Sequence, residues 1–404
     1  MARHYSVKDF FRQTPNALLA RYFADRGLFA DLNFSGMDEG KPDELFDRWV
    51  ALPDEDRRRT DADFRDIDDM SNEKGWLAML GEARFHLQNQ QQVLGFIEAM
   101  AVLPNHHARA MTVYLDYADY WLGATRLRDV DSMSYWRKRK NLPKKAAAVD
   151  KASVARLAEL IKAHFSKTDG RGKNCEVEVY RWGERDYFFA FPEDHAQHGA
   201  EWEDGERKVR PHNPAFDLVF VYSQADGTLE LNCRGATKAD EALQGLFAQA
   251  ILGLDALPPD AKSKEVYDLG PLMKPNFEFT HAPDSGIGAV VVKRLRLTSR
   301  VRRGDQLVLS ADTNRDRQAV YALAEEIGKA MPLHLFDVTQ VELAATLQTD
   351  PGKKPKTVTI RITHPNSCSL KQDEVGNRLR MMLVASGIEP RAPACAERRD
   401  GAGL

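Results

Sequence analysis

The cations of residues 290–303 are the side chains in this sequence best suited to chemistry, because six lysines and arginines occur there without an acid. Successive side chains of a strand point to opposite faces and lie about 6.6 Å apart on one face. A strand here would present four arginines on one face, namely Arg294, Arg296, Arg300 and Arg302. Since guanidinium groups form paired hydrogen bonds with phosphate, the pattern predicts contacts with DNA or RNA. The alternative is pairing with acids of a neighbouring strand, domain or protein.

A second basic segment, residues 134–145, contains six bases, no acid and two neighbouring aromatic residues. Its candidate nucleic-acid-binding residues are Tyr135, Trp136, Arg137, Lys138, Arg139 and Lys140. The cations would contact phosphates, and an aromatic ring could stack on a base. The segment loosely resembles the end of a helix-turn-helix recognition helix, but it lacks a clean turn upstream. A basic linker and an amphipathic helix with its Trp packed inward are the other interpretations.

Other residue types offer weaker candidates. His195 and His198 lie among acids in residues 192–206, a mixture that can bind divalent ions, but the spacing matches no known zinc motif and favours a polar loop. Cys368 and His364 are close in sequence, yet a strand-to-helix turn explains them equally well. Phosphate-loop, dinucleotide and nucleophile-elbow motifs are absent. We therefore predict no catalytic residue, no metal site and no cofactor, and we keep a metal-dependent hydrolase as an alternative.

The elements that position these residues indicate a multidomain α+β protein. We expect a helical domain over 1–145 that ends in the basic linker, followed by antiparallel-strand and helix modules over 150–275 and 286–390, and a flexible tail over 391–404. Hairpins are predicted at 176–191 and at 216–233, the latter turning at Asp226-Gly227, and a short strand is predicted near Val266–Leu269. The last helix should end at Gly387.

The acidic part of the helical region, residues 38–69, holds thirteen acids and six bases. Such a segment could dock a protein partner, although charge runs usually form solvated helix faces. The whole chain has a formal net charge of −3, so only local patches could favour nucleic acid.

Apolar runs, the N-terminal pattern and the cysteines narrow the class of protein that we expect. The sequence contains no apolar run long enough for a membrane span, no secretory signal pattern and only scattered cysteines, so we expect a cytoplasmic protein without membrane contact. The first hypothesis is a non-enzymatic nucleic-acid-binding or nucleic-acid-associated protein, a subunit of a cytoplasmic assembly of bacterial type. The second is a protein–protein scaffold or regulator without nucleic acid.

Overall fold

The computed structural model describes residues 5–87, 89–203, 205–233, 240–258, 264–348 and 355–390. The chain forms two compact units, and the boundary falls between Asp131 and Ser132. The helices are α1 (Val7–Gln13), α2 (Asn16–Ala24), α3 (Asp43–Val50), α4 (Asp54–Met70), α5 (Glu73–His86), α6 (Gln90–Ala101), α7 (His106–Asp116), α8 (Ala118–Ser132), α9 (Lys151–Asp169), α10 (Asp240–Ala250), α11 (Ala319–Gly328) and α12 (Glu374–Ala385). The strands are β1 (Trp136–Arg139), β2 (Cys175–Trp182), β3 (Arg185–Pro192), β4 (Gln197–Glu203), β5 (Glu206–His212), β6 (Leu218–Ser223), β7 (Thr228–Cys233), β8 (Ile287–Ser299), β9 (Gln306–Ser310), β10 (Phe336–Leu347), β11 (Lys356–Thr363) and β12 (Ser367–Cys368). The predicted α+β class, with a helical N-terminal region, is confirmed.

The helical unit is organised around buried aromatic side chains. Phe10, Phe11, Phe23 and Phe64 are fully buried, and the Phe64 ring contacts each of the other three. Asparagine side chains cap the N-termini of α5, α6 and α7 by accepting hydrogen bonds from backbone N–H groups. The acidic helix α4 buries one apolar stripe. Some of its acids are exposed, such as Asp54 and Asp69, whereas Asp63 and Asp68 are partly buried and bond to Tyr22 and His107. Within the described residues, no helix is long and apolar enough to cross a membrane.

The second unit is built on one antiparallel sheet. Its strand order is β2-β3-β6-β7-β1-β12-β11-β10-β8-β9, so the two predicted modules share a continuous ladder. The predicted hairpins β2–β3 and β6–β7 are both present. Gly227 has the positive φ that the Asp226-Gly227 turn of the β6–β7 hairpin requires. The helix α12 ends close to the predicted Gly387, which also has a positive φ.

Helices cover the two halves of this sheet on opposite faces. α9 and α10 pack on β3, β6 and β7 through a core that includes Leu231 and Phe247. α11 and α12 pack on β8, β10 and β11 through a second core that includes Leu295 and Ile362. Arg137 lies opposite Leu231 on one side and opposite Ser367 on the other, so its side chain is on the α9–α10 face. On that face, the β8–β11 half carries polar side chains instead of a helix-facing core.

Three local predictions differ from the structure. The segment expected to be a basic linker forms strand β1, because Trp136–Arg139 completes the ladder between β7 and β12. The expected polar loop at 192–206 instead contributes to a two-stranded sheet, β4–β5. A short strand expected near Val266–Leu269 is irregular backbone. The predicted tail, 391–404, lies outside the described residues.

Candidate anion-binding site on the sheet

A row of polar side chains crosses five neighbouring strands in direct register. Arg296 of β8 lies opposite Gln340 of β10, and Gln340 lies opposite Thr363 of β11. Thr363 lies opposite Ser367 of β12, which in turn lies opposite Arg137 of β1. Directly opposed residues of an antiparallel pair share a face, so the five side chains form one line that ends in an arginine at each side.

This row lies in an open concavity of about 380 Å³. Its lining is completed by two further side chains, Tyr135 and Arg361. Ligand-binding clefts of proteins typically start at about 300 Å³, so the concavity has room for a small ligand or for one residue of a polymer. Three of the seven lining side chains are arginines, and none is a carboxylate, so the concavity favours an anion.

Arg296 is the arginine of this site whose charge is least compensated. Its Nε donates to Thr339 Oγ1 at 3.4 Å, and no carboxylate among the described residues lies within ion-pair distance of it. The neighbouring Arg294 is half-buried, and its Nε has no hydrogen-bond partner in the part of the chain that the structure describes. Of the two arginines, Arg296 lines the concavity and can meet a ligand there, whereas the free Nε of Arg294 is buried.

Arg361 is held by two side chains. Its Nη2 donates to Glu342 Oε2 at 3.0 Å, and its Nη1 donates to the hydroxyl of Tyr135 at 3.4 Å. The hydrogen bond with Glu342 is the main reason that the pKa of Arg361 is raised. Glu342 thus orients Arg361 at the rim and also removes part of the local positive charge.

Tyr135 has two features that are unusual for a tyrosine. Its side chain is 51% exposed, and its backbone has a φ of 65°. Non-glycine residues rarely adopt this left-handed conformation, and they do so mostly where the surrounding structure imposes it. Strand β1 begins at the next residue and is paired on both sides, so the ladder fixes the position of Tyr135 at the edge of the concavity.

Arg137 and Ser367 form the opposite end of the row from Arg296. The Arg137 Nε lies 3.2 Å from Asp240 Oδ2, and burial raises the pKa of Asp240 despite the attraction of Arg137. Burial therefore disfavours the charged form of the group that would neutralise Arg137. Ser367 is only 5% exposed, and its hydroxyl has no hydrogen-bond partner among the residues described. A hydroxyl that lines a concavity can donate or accept a hydrogen bond with a ligand.

The other predicted residues of the 135–140 cluster are used within the protein. Trp136 is 2% exposed, and its Nε1 donates to the Met133 carbonyl oxygen at 3.4 Å. Arg139 is 1% exposed, and its Nε donates to Gln244 Oε1 at 3.0 Å. Lys140 follows the strand and is half-buried. A buried Trp136 is the arrangement expected of the scaffold hypothesis, whereas Tyr135 and Arg137 remain accessible.

Lys138 belongs to a buried ionic cluster on the α12 face of the sheet. Its Nζ lies 2.5 Å from Glu389 Oε1 and 4.0 Å from Glu230 Oε1. Glu230 also accepts a hydrogen bond from Gln372 Nε2 at 2.6 Å and lies 3.6 Å from Arg380. Burial alone would raise the pKa of Glu230, but Arg380, Lys138 and other cations lower it to about 2. The cluster joins β1 and β7 to the α12 region at the junction of the two modules, where loss of one charged partner would leave the others desolvated.

The two remaining arginines of the basic strand lie beyond its end. The predicted alternation holds up to Leu297, with Leu295 and Leu297 buried beneath α11 and α12, but β8 ends at Ser299. Arg300 pairs with Asp337 at 2.5 Å in an exposed ion pair, whereas Arg302 is exposed in the following turn. The structure therefore places Arg296 and Arg137 with Tyr135 around the concavity, and it places Arg294 opposite Glu342 on the same face of β8. Arg300 and Arg302 lie outside this group.

The weaker candidates do not form a reactive centre among the described residues. No three His, Cys, Asp or Glu side chains there come together in a way that could hold a metal ion. His195 is exposed at the base of the β4–β5 hairpin, and His198 is exposed within it. Burial raises the pKa of Cys368 to about 11, which disfavours the thiolate that nucleophilic catalysis needs.

Four residues of the site were missed by the sequence analysis: Gln340, Arg361, Thr363 and Ser367. A local signal for two of them was present. In residues 357–363 a threonine or arginine alternates with Val358, Ile360 and Ile362, which predicts a strand with one polar face. Gln340 and Ser367 carry no such signal, since their place in the row depends on pairing between distant segments.

Comparisons with known proteins do not assign this chain to a family. No protein-family model matches the chain, and no curated protein matches it at a significant level.

Proposed function

We propose that the second unit of this protein binds nucleic acid through the open polar face of β8, β10, β11, β12 and β1. The observation that carries the proposal is the in-register row that ends in Arg296 and Arg137, with Arg294 and Arg361 on the adjoining positions. Phosphate contacts dominate nucleic-acid affinity, and guanidinium is the side chain best matched to phosphate geometry.

The distribution of charge supports this proposal more than the total charge does. The chain has a formal net charge of −3, so non-specific attraction of the whole molecule to a polyanion is weak. A local site must then supply the attraction, and Arg296 lacks a carboxylate partner within the described residues. The threonine and serine hydroxyls of the row can donate to phosphate or sugar oxygens between the arginines.

Fluorescence anisotropy with labelled single- and double-stranded DNA and RNA tests the proposal across a salt series. We expect binding at low salt that weakens steeply as salt is added, because released counterions drive phosphate binding. Arg294→Glu combined with Arg296→Glu should abolish it. Arg156→Glu is the matched control, since Arg156 is an exposed arginine of α9 in the same unit. Undiminished binding by a folded double variant would reject the proposal.

A second candidate function is a protein–protein scaffold or regulator, and the β4–β5 hairpin favours it. On one face of the hairpin, Glu203 pairs with Lys208 at 2.9 Å and also contacts Arg210. On the other face, Trp202 is 70% exposed beside Val209, so an apolar surface is open to solvent. Exposed aromatic and aliphatic side chains of this kind are common in protein interfaces.

The acidic face of α4 is a further element of that second candidate. Asp54 and Asp56 are partly neutralised by Arg57 and Arg59 within the same helix, at 2.8 and 3.2 Å. A Trp202→Glu variant and a variant with the exposed Glu55 and Asp69 changed to Lys would separate the two surfaces. Loss of self-association, measured by sedimentation of the purified chain, in only one variant would identify the docking surface, and a monomer throughout would count against a second copy as partner.

A further inference from the structure

The concavity that contains the arginine row has the dimensions of a site for a single nucleotide. A volume of about 380 Å³ lies near the lower end of ligand-pocket sizes. A double helix contacts proteins over a much larger area, typically more than about 600 Å² even for a single module, and its bases are stacked inside. One unstacked nucleotide, in contrast, presents its phosphate and its base to the same small surface.

The polar groups of the concavity suit a phosphorylated ligand. Arg296 and Arg137 stand at opposite ends of the row, and Ser367 lies directly opposite Arg137. The Arg296 Nε donates to Thr339 Oγ1 at 3.4 Å, and the Arg296 side chain lines the concavity, where its terminal nitrogens can meet a ligand. Gln340 Nε2 donates to Thr363 Oγ1 at 2.7 Å, which fixes the amide in the floor between the two arginines.

Tyr135 adds an aromatic surface to the concavity. Its ring lines the same concavity, is half exposed, and is held at the rim by the paired strand that follows it. The hydroxyl accepts a hydrogen bond from Arg361 at 3.4 Å, which keeps a cation next to the ring. Aromatic side chains beside phosphate-binding cations are the combination that holds bases of single strands.

We infer that this concavity binds one nucleotide, with its phosphate at Arg296, Arg137 and Ser367 and its base against Tyr135. The inference rests on the proposed function, because the same arginines serve both. It narrows that function to a nucleoside phosphate, which could come from a single-stranded nucleic acid or from a free nucleotide. A duplex would contact the arginines of the open face without placing a base against Tyr135.

The test compares three probes: a labelled 12-nucleotide single strand and the matching duplex, both followed by anisotropy, and adenosine monophosphate followed by calorimetry. Tyr135→Gly removes the ring without strain at a positive φ, whereas Tyr135→Phe keeps the ring. We expect Tyr135→Gly to weaken single-strand binding about tenfold, Tyr135→Phe to bind like the wild type, and the duplex to be insensitive to both. Ser367→Ala should weaken both single-strand and nucleotide binding about threefold.

The outcomes separate this inference from the proposed function. Arg296-dependent binding of the single strand that is unchanged in Tyr135→Gly would overturn the nucleotide site and leave nucleic-acid binding in place. Binding of adenosine monophosphate that depends on Tyr135, without binding of either polymer at low salt, would support the nucleotide site and reject the polymer function. Competition by adenosine monophosphate against the single strand would show that both sources use one site. No binding of any probe would overturn both.

Discussion

The two basic segments of this protein are alike in composition, but their cations differ in burial and in their partners. Strand β1 and the basic part of β8 each combine arginines and lysines with no acid between them. In β1, Arg139 is buried and Lys138 is mostly buried within a cluster of carboxylates. In β8, Arg294 and Arg296 lie on a face that no core of the second unit covers, opposite Glu342 and Gln340. A run of cations is thus enclosed within the protein or left on an open face, depending on what its strand faces.

The position of each strand in the sheet explains this difference. β1 lies between the two modules, so α10 approaches one of its faces and the α12 region approaches the other. β8 lies one strand from the sheet edge, and only its leucine face is packed against helices. Lys138 and Arg139 of β1 are withdrawn from water and need internal partners, whereas Arg296 lies on the open face of β8 and lines the concavity.

The largest expected effect comes from removing the buried cation of β1. Lys138→Met removes the cation closest to Glu389 and one of the cations near Glu230. Loss of one partner from a buried ion pair typically costs about 3–5 kcal/mol, because the remaining charge stays desolvated. We expect a loss of this size in the free energy of unfolding, measured by urea denaturation.

The matched change on β8 is Arg296→Met, which removes an unpaired cation from the open face. We expect a change in unfolding free energy of less than about 1 kcal/mol, as for most surface substitutions. Equal losses for Lys138→Met and Arg296→Met would show that the two strands do not differ in the way described above.

Acid titration tests whether the buried cluster of β1 depends on the charge of Glu230. The pKa of Glu230 is about 2 in the folded protein, below its ordinary value of 4.5, because Arg380 and Lys138 outweigh burial. A lowered folded pKa contributes stability that is complete above the unfolded value and is lost as pH falls through the folded value. We therefore expect the wild type to be more stable than Glu230→Gln at neutral pH and the difference to shrink between pH 4.5 and 2. A difference that stays constant over that range would contradict the role of Glu230 as a charged partner.

Much of the architecture was predictable because its signals are local. The Asp226-Gly227 turn between two β-rich arms fixes the β6–β7 hairpin, and the Leu295–Leu297 spacing identifies the buried face of β8. The insertion of Trp136–Arg139 between β7 and β12 was not predictable, because its partners lie about 95 and 230 residues away in sequence.

In the candidate site, too, some residues have a local sequence signal and others depend on distant segments. Arg294 and Arg296 could be predicted from strand alternation alone. The acids that neutralise other cations, such as Glu389 for Lys138 and Asp337 for Arg300, are far from them in sequence, so composition gave no means to separate free from paired charges. The exposed Tyr135 and the buried Trp136 are adjacent, and only the sheet decides which of them lines the concavity.

A smaller effect is expected from Arg296→Gln on the salt dependence of nucleic-acid binding. Loss of one phosphate contact should reduce the slope of log affinity against log salt by about 1 and lower affinity uniformly across sequences. The same change at Arg139, which is 1% exposed and bonded to Gln244, should leave the slope unchanged in any variant that folds. Identical slopes for the wild type and Arg296→Gln would remove Arg296 from the set of phosphate contacts.

The smallest effect is expected at the exposed pair between Arg300 and Asp337. Asp337 holds Arg300 through hydrogen bonds to its Nε and Nη2, and this contact is the main reason that the pKa of Arg300 is raised. Asp337→Asn would release the arginine beside the end of β8 and remove one negative charge near it. If the open face binds nucleic acid, affinity measured by anisotropy should rise by no more than about threefold, and the gain should disappear at high salt because an exposed charge is screened. Asp312→Asn removes a carboxylate from the loop after β9 as a matched control; an equal gain there would mean that only net charge matters, whereas a gain limited to Asp337→Asn would extend the phosphate-binding face to Arg300.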